Sequence, residues 1–147
     1  MTAEGSAAFE AVIEQNHHAT DEFTRGNNRP LEDLYSRRDD VSLGNPFGPF
    51  VRGFHEVART MERAATFYRD GHALGFDMIV TSVTADMAFT VETERFEAKI
   101  GGRDTLTPFS LRCTSIFRRE DGVWKLIHRH ADPITSPRPA DSVIQSQ

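Results

Sequence analysis

The chain has 147 residues, of which 38 % are hydrophobic, and a formal net charge of −5 at pH 7. This length suits one domain with one core, and the acidic balance argues against a nucleic-acid binder, which needs a basic surface. Cys113 is the single cysteine, so no internal disulfide forms and nothing indicates an oxidising compartment. The acidic start and the lack of a long apolar run predict a cytoplasmic protein without a signal peptide or membrane span.

The first half of the chain has mainly a helical period. The apolar residues of 6–24 recur on one face at a spacing of 3.6 residues, which predicts a helix that ends at Gly26. Pro30 begins a short second helix, since proline fits a first helical turn. The stretch 41–47 alternates and predicts a strand, and residues 54–70 carry the buried stripe of a third helix.

From His72 onward the apolar period falls to two, which predicts a run of strands. These strands cover residues 73–84, 86–100, 105–119 and 123–133. The order predicts an α+β class, with three N-terminal helices packed in a curved, mostly antiparallel sheet. In this interpretation residues 1–134 form a single domain and 135–147 a polar C-terminal tail that packs loosely.

Asp121-Gly122 is a strong signal for a two-residue turn and sets the register of the last hairpin. A slip of one residue would mix the apolar and polar sets, so the pattern supports this register. The predicted opposite pairs are Phe117 with Leu126, Ser115 with His128, and Cys113 with His130. The predicted inner face holds Phe109, Leu111, Cys113, Ser115, Phe117, Trp124, Leu126, His128 and His130. The predicted outer face holds Arg112, Thr114, Ile116, Arg118, Lys125, Ile127 and Arg129.

Three stretches resemble a known family: YSRRDDVSLGNPFGPFVRG, DMAFTVETERF and LRCTSIFRREDGVWKLIHRHADP. In this order they are similar to the SnoaL-like branch of the nuclear transport factor 2-like superfamily, over residues 7–134. The resemblance implies a cone-shaped α+β barrel with a deep pocket open at one end, and homodimers through the outer sheet face. Function varies across this superfamily, so the fold does not supply an activity.

Ketosteroid isomerase belongs to the same superfamily and uses a general-base Asp, a Tyr and a neutral Asp that donates to an oxyanion. The resemblance places these three roles at Asn45, near Ala19 and near Ser115. An amide cannot take a proton at neutral pH. We therefore expect no steroid isomerase activity of that type.

The same resemblance orients the strand at 86–100. It implies that Phe89, Val91, Thr93 and Arg95 face the interior. Glu92 and Glu94 would then point outward, level with Arg112 and Arg129, as cross-strand charge pairs.

His128, His130 and Asp132 alternate on the last strand, so their side chains project to one side. One interpretation is a proton-transfer cluster at the pocket mouth, in which Asp132 orients a histidine acid or base. The alternative is that the histidines satisfy polar groups near the end of the sheet and merely shape the site.

Two further chemistries are weaker interpretations of the same region. His128 and His130 could share a metal ion, but a site needs a third and usually a fourth ligand, so no metal and no cofactor is predicted. Cys113 lies opposite His130 in the predicted register and could be an activated nucleophile. A lone cysteine inside a sheet is more often a small buried apolar residue.

The predicted ligand surface combines apolar walls with a few polar groups. The amides of Asn45 and Asn16 either bind a ligand carbonyl or satisfy backbone and water. Arg95 either attracts an anionic group or points to solvent. The full set is Asn45, Asn16, Tyr35, Phe47, Met61, Phe89, Val91, Arg95, Cys113, Ser115 and Trp124.

Two hypotheses follow. The first is a pocket for a mostly apolar, ring-sized small molecule, with cofactor-free proton-transfer chemistry (isomerisation, cyclisation or hydrolysis) if it is an enzyme. The second is a non-catalytic module for ligand binding or dimerisation, with a homodimer formed through the outer sheet face. Neither hypothesis involves nucleic acid or a membrane.

Overall fold

The computed structural model describes residues 3–145 and has an α+β architecture, as predicted. The helices are α1 (Ala3–Phe23), α2 (Arg29–Leu34) and α3 (Phe54–Ala65), and a 3₁₀ helix covers Ala140–Val143. The strands are β1 (Ser42–Gly44), β2 (Val51–Arg52), β3 (Tyr68–Val83), β4 (Met87–Ile100), β5 (Thr107–Glu120) and β6 (Val123–Asp132).

The six strands form one sheet in the order β2-β1-β6-β5-β4-β3. All pairs are antiparallel except β1 with β6. α1 contacts both β3 and β6, which lie three strand spacings apart, about 14 Å in a flat sheet. A single helix about 10 Å wide reaches both strands because the sheet curves around it.

Helix ends follow local chemistry. Gly26 takes a φ of 83° just after α1, a conformation that favours glycine and ends a helix. α2 carries Pro30 in its first turn, as expected. The prediction for the third helix was too long, because α3 ends at Ala65 and Tyr68 already pairs with Ile100 as the first residue of β3.

The core at one end of the sheet is aromatic. Phe9 of α1 packs edge-on against Phe117 and Trp124, with ring centroids 5.4 and 5.2 Å apart. All three side chains are buried, and such pairs add to the free energy of area burial. This contact anchors α1 over the β5–β6 hairpin.

The turn between β5 and β6 confirms the predicted register close to the loop. Asp121 and Gly122 have φ values of 51° and 81°, as a hairpin turn with two left-handed residues requires. Phe117 pairs with Leu126, as predicted.

A β-bulge then changes the register of β6. Ile116 pairs with His128, so Ile127 is an extra residue on β6. Ser115 consequently pairs with Arg129 rather than His128, and Cys113 with Ala131 rather than His130. Beyond the bulge Arg129 therefore points inward and both histidines point outward, opposite to the prediction.

The predicted faces of β4 are also reversed. Thr90 pairs with Ser115 and Glu92 with Cys113, and paired residues share one face of a sheet. Because Ser115 and Cys113 are buried on the inner face, Thr90 and Glu92 are as well. The inward residues of β4 are Ala88, Thr90, Glu92, Glu94, Phe96 and Ala98, and the outward ones include Phe89, Val91, Thr93 and Arg95.

No helix within residues 3–145 is long and apolar enough to cross a bilayer. After β6 the chain is exposed, including the 3₁₀ helix Ala140–Val143.

Candidate functional site

A pocket opens between α1, α3, the loop after β1 and the inner face of β4, β5 and β6. Its wall is mainly apolar, and five aromatic rings contribute to it: Phe23, Phe47, Tyr68, Phe96 and Phe109. The polar side chains in the wall are Thr20, Thr24, Asn45, Tyr68 and Arg129. The cavity measures about 50 Å³, so in this conformation it accepts a small group or a few waters.

Arg129 and Glu94 form a buried ion pair at the inner wall of this pocket. Arg129 donates to the two carboxylate oxygens of Glu94 over 2.8 and 2.6 Å, and the Glu94 side chain is 0 % exposed. Arg129 also donates to Sγ of Cys113 over 3.0 Å. Because a guanidinium has five N–H groups, two of them take no part in these three bonds.

The ion pair sets the charge states around it. Burial would lower the pKa of Arg129, but the negative charge of Glu94 and its hydrogen bonds hold that pKa above its ordinary value, so the guanidinium stays charged. Burial raises the pKa of Cys113 to about 12, against the opposing effect of Arg129. Cys113 is thus a protonated thiol that pairs with Ala131, which does not favour the nucleophile interpretation.

Asn45 presents a hydrogen-bond donor to the pocket. Its Oδ1 accepts the backbone N–H of Phe47 over 2.9 Å, an Asx turn in the loop after β1. With the carbonyl oxygen used locally, the amide NH₂ is the part of Asn45 available to a ligand.

Tyr68 offers a second donor on the opposite wall. Its hydroxyl makes no hydrogen bond within residues 3–145, while its ring stacks on Phe109 at 5.4 Å. Burial raises the pKa of Tyr68 to about 12, so the hydroxyl keeps its proton. Thr20 and Thr24 differ, since their hydroxyls donate back to carbonyls of α1 over 3.1 and 2.6 Å.

A second polar group lies deeper in the interior. Nε2 of His17 is 2.7 Å from Oε1 of Glu92, whose side chain is 1 % exposed. The His17 ring stacks on Phe76 of β3 at 3.8 Å and is 23 % exposed. The pair therefore links the surface between α1 and β3 to the interior.

The structure brings His128, His130 and Asp132 together, but on the outer face. Nδ1 of His128 is 2.7 Å from Oγ of Ser42, and Phe50 covers both histidine rings. Nε2 of His130 is 3.4 Å from Asp132. None of the three predicted catalytic residues lines the pocket, because the bulge at Ile127 turns this part of β6 over.

The predicted ligand residues divide into three groups. Asn45, Phe47 and Met61 line the pocket. Phe89, Val91 and Arg95 lie on the outer face, so their predicted inward placement is wrong. The remaining five are buried in the core rather than in the pocket wall: Asn16, Tyr35, Cys113, Ser115 and Trp124.

Sequence reasoning missed the most polar part of the site. Arg129 and Glu94 look like solvent-facing charges, since charged residues are rarely buried unless paired. The signal that could have revealed Glu94 is the inner placement of Leu111 and Cys113, which predicts the same face for the residues paired with them on β4. Nothing comparable reveals Arg129, because its placement depends on the bulge at Ile127. The sequence predicts Tyr68 as a wall residue at the end of the third helix, and the structure places it in the pocket wall as the first residue of β3.

The described residues include one cluster of metal-ligating side chains, and it is separate from the pocket. His18, Asp21 and Glu22 lie on the surface of α1. Both carboxylates are already paired with Arg25, at 2.9 Å each. The cluster is therefore explained as part of a surface ion-pair network.

Comparison with known families matches the SnoaL-like domain over residues 10–135. The chain belongs to this family. No curated protein matches it.

Solved structures share the fold across nearly the whole chain. A putative dehydratase from the NTF2-like family of Streptomyces avermitilis is 26 % identical, with a TM-score of 0.64, covering 86 % of this chain and 96 % of its own. A ketosteroid isomerase-like protein from Erwinia carotovora atroseptica is 18 % identical, with a TM-score of 0.71, covering 93 % and 100 %. An NTF2-like protein of unknown function from Pseudomonas putida is 18 % identical, with a TM-score of 0.70, covering 97 % and 93 %.

The buried ion pair predicts a large effect of removing one partner. Arg129→Met leaves the Glu94 carboxylate buried without its partner, so we expect a loss of about 3–5 kcal/mol in the free energy of unfolding. Adding Glu94→Leu to Arg129→Met should recover most of the lost stability, because no unpaired carboxylate is then left in the interior. Denaturant unfolding measures the stability of both variants.

Arg95→Met is the matched control. Arg95 and its partner Asp77 are 44 % and 55 % exposed, so this substitution should cost less than about 1 kcal/mol. Equal losses for the two single variants would contradict the buried pair.

His128 predicts a pH dependence of stability. Burial, and secondarily the neighbouring His130, lower its pKa in the folded protein. In the unfolded chain His128 therefore takes up its proton at a higher pH, so from somewhat above pH 6.5 down to the lowered folded pKa the unfolded state binds more protons than the folded one. We expect the free energy of unfolding to fall as pH drops from about 7.5 to about 5.5, and less steeply in His128→Gln. The same slope in both proteins would contradict this assignment.

Proposed function

We propose that this protein binds a small, largely apolar molecule in the pocket through an oxygen atom that accepts hydrogen bonds from Arg129, Asn45 and Tyr68. The supporting observation is that all three side chains offer donors there. The amide oxygen of Asn45 already accepts the backbone N–H of Phe47, and both carboxylate oxygens of Glu94 already accept from Arg129. Neither acceptor group is therefore free for a ligand. A carbonyl, carboxylate or enolate oxygen is the ligand group that matches such a set.

The rest of the ligand is apolar and of limited size. Aromatic rings form much of the wall, which suits a planar or ring-shaped body. The present cavity of about 50 Å³ is too small for a whole ring. Phe47 is 47 % exposed at the mouth, 5.0 Å from the ring of Phe67, and its side chain has to swing aside to admit one.

Binding of 3-phenylpropanoate tests this proposal, because the probe carries an aromatic ring and a carboxylate. Asn45→Asp keeps the acceptor for the N–H of Phe47 but replaces the amide donor with a negative oxygen, so binding should be lost. Tyr68→Phe removes one hydroxyl and should weaken binding about 3- to 10-fold. Calorimetry gives the affinities, and NMR shift changes of Arg129 locate the site.

Asn27→Asp is the matched control, because Asn27 lies in the exposed loop after α1 and should leave the affinity unchanged. Benzylamine, a cationic probe of similar size, should bind the wild type poorly. Wild-type affinity in both Asn45→Asp and Tyr68→Phe would contradict the proposal.

A cofactor-free proton-transfer reaction is the second candidate function. It is supported by the putative dehydratase from Streptomyces avermitilis and by the buried Glu92–His17 pair, a carboxylate and an imidazole at 2.7 Å. The His128 cluster no longer supports it, since those side chains lie on the outer face.

We also propose that two chains associate through the outer sheet face. This face carries a continuous apolar patch that crosses three strands, and patches of this kind mark interaction surfaces. Its members are Val80, Met87, Phe89, Val91 and Ile116.

A charge in this patch should dissociate the dimer. Phe89→Arg places a guanidinium at the centre of the patch, which an apolar interface cannot accommodate. Leu106→Arg is the control, because Leu106 is exposed outside the patch. Sedimentation at micromolar concentration should show a dimer for the wild type and the control, and a monomer for Phe89→Arg. A monomeric wild type would contradict the proposal.

A further inference from the structure

Five buried side-chain atoms have no hydrogen-bonding partner among residues 3–145, and three of them belong to residues of α1 and of the inner face of β4. These three are Oδ1 of Asn16, Oγ1 of Thr90 and Oε2 of Glu92. The three residues are only 1, 1 and 2 % exposed. Buried polar atoms are nearly always satisfied, so three in one region point to a group that binds there.

Their positions in the fold bring the three residues to one level. The 2.7 Å contact between His17 and Glu92 holds the turn of α1 that contains His17 against β4. Asn16 lies in the same turn, directly before His17. Thr90 and Glu92 share the inner face of β4. Thr90 pairs with Ser115, and Ser115 with Arg129, so this layer adjoins the inner wall of the pocket.

The chemistry of the three atoms defines what fits between them. The amide oxygen and the carboxylate oxygen only accept, while the threonine hydroxyl both donates and accepts. A water molecule donates twice and accepts, so it can satisfy both oxygens and the hydroxyl, whereas an alcohol donates only once and would leave one of the two oxygens unpaired. A metal ion would need more oxygen ligands than these three.

We propose that Asn16, Thr90 and Glu92 bind one water molecule, and that Glu92, held by His17, is the base that takes its proton. The site itself does not depend on the ligand class proposed above, because water alone fills it.

The geometry gives each oxygen of Glu92 one task. Oε1 is engaged by Nε2 of His17, and Oε2 is the base for the water. When Oε2 takes the proton, the O–H bond of the water breaks and a carboxylic O–H forms. His17, which is 23 % exposed, holds the other oxygen of this carboxylate from the solvent side. A carboxylate is too weak a base to ionise water on its own, so the proton moves as the water oxygen adds to an electrophilic carbon of a bound ligand. The new C–O bond forms while the O–H bond breaks, and the electron pair of the attacked π bond goes to its far atom.

Neutron diffraction from crystals of the wild-type protein in D₂O tests the site directly. We expect an oxygen within about 2.6–3.2 Å of both Asn16 Oδ1 and Glu92 Oε2, with a deuteron directed at Glu92. A water molecule with its second deuteron directed at Asn16 supports the site. A protein donor on Oε2, or a side chain filling the space, would overturn it.

Imidazole nitrogen NMR provides the test in solution. Glu92→Gln should shift the signals of His17 and leave those of His72 in place. Glu97→Gln is the matched control, because Glu97 lies on the same strand, 3.2 Å from His72 at the surface, and should do the reverse. Unchanged His17 signals in Glu92→Gln would refute the pair, whatever the outcome of the 3-phenylpropanoate experiment.

Discussion

The ion pair between Arg129 and Glu94 is the interaction on which the interior depends. It joins β6 to β4 across β5, so it holds two strands in the orientation that turns both charges inward. If either strand slipped by one residue, one of the two charges would move to the opposite face and the other would be buried alone. The pair therefore stabilises one register against its neighbours, and it places a guanidinium at the pocket wall.

The remaining polar groups are arranged in two layers on either side of this pair. Toward the mouth, Asn45 and Tyr68 present donors to an apolar cavity. Toward the centre of the barrel, Asn16 and Glu92 present acceptors. A molecule or water chain that spans both layers would meet protein donors at one end and protein acceptors at the other. This arrangement would fix its orientation in the barrel.

Much of the fold was predictable from the sequence, but little of the interior chemistry was. The turn at Asp121-Gly122 has a local signature, so it and the pairing of Phe117 with Leu126 were confirmed. The bulge at Ile127 has no such signature, since it involves neither glycine nor proline. Buried Glu92 was also missed, because the family resemblance implied that Phe89 and Val91 face the interior, which turns Glu92 outward.

The extra residue in β6 has a consequence for how roles are transferred between relatives. Up to Leu126 the strand alternates in one phase, and from His128 onward in the other. In a homologue without the bulge, the residue aligned with His128 would face the barrel interior and the one aligned with Arg129 would face outward. Residues that a sequence alignment places in the same column can thus lie on opposite faces of the sheet. Catalytic roles along this strand should therefore be assigned from superposed structures and not from a sequence alignment.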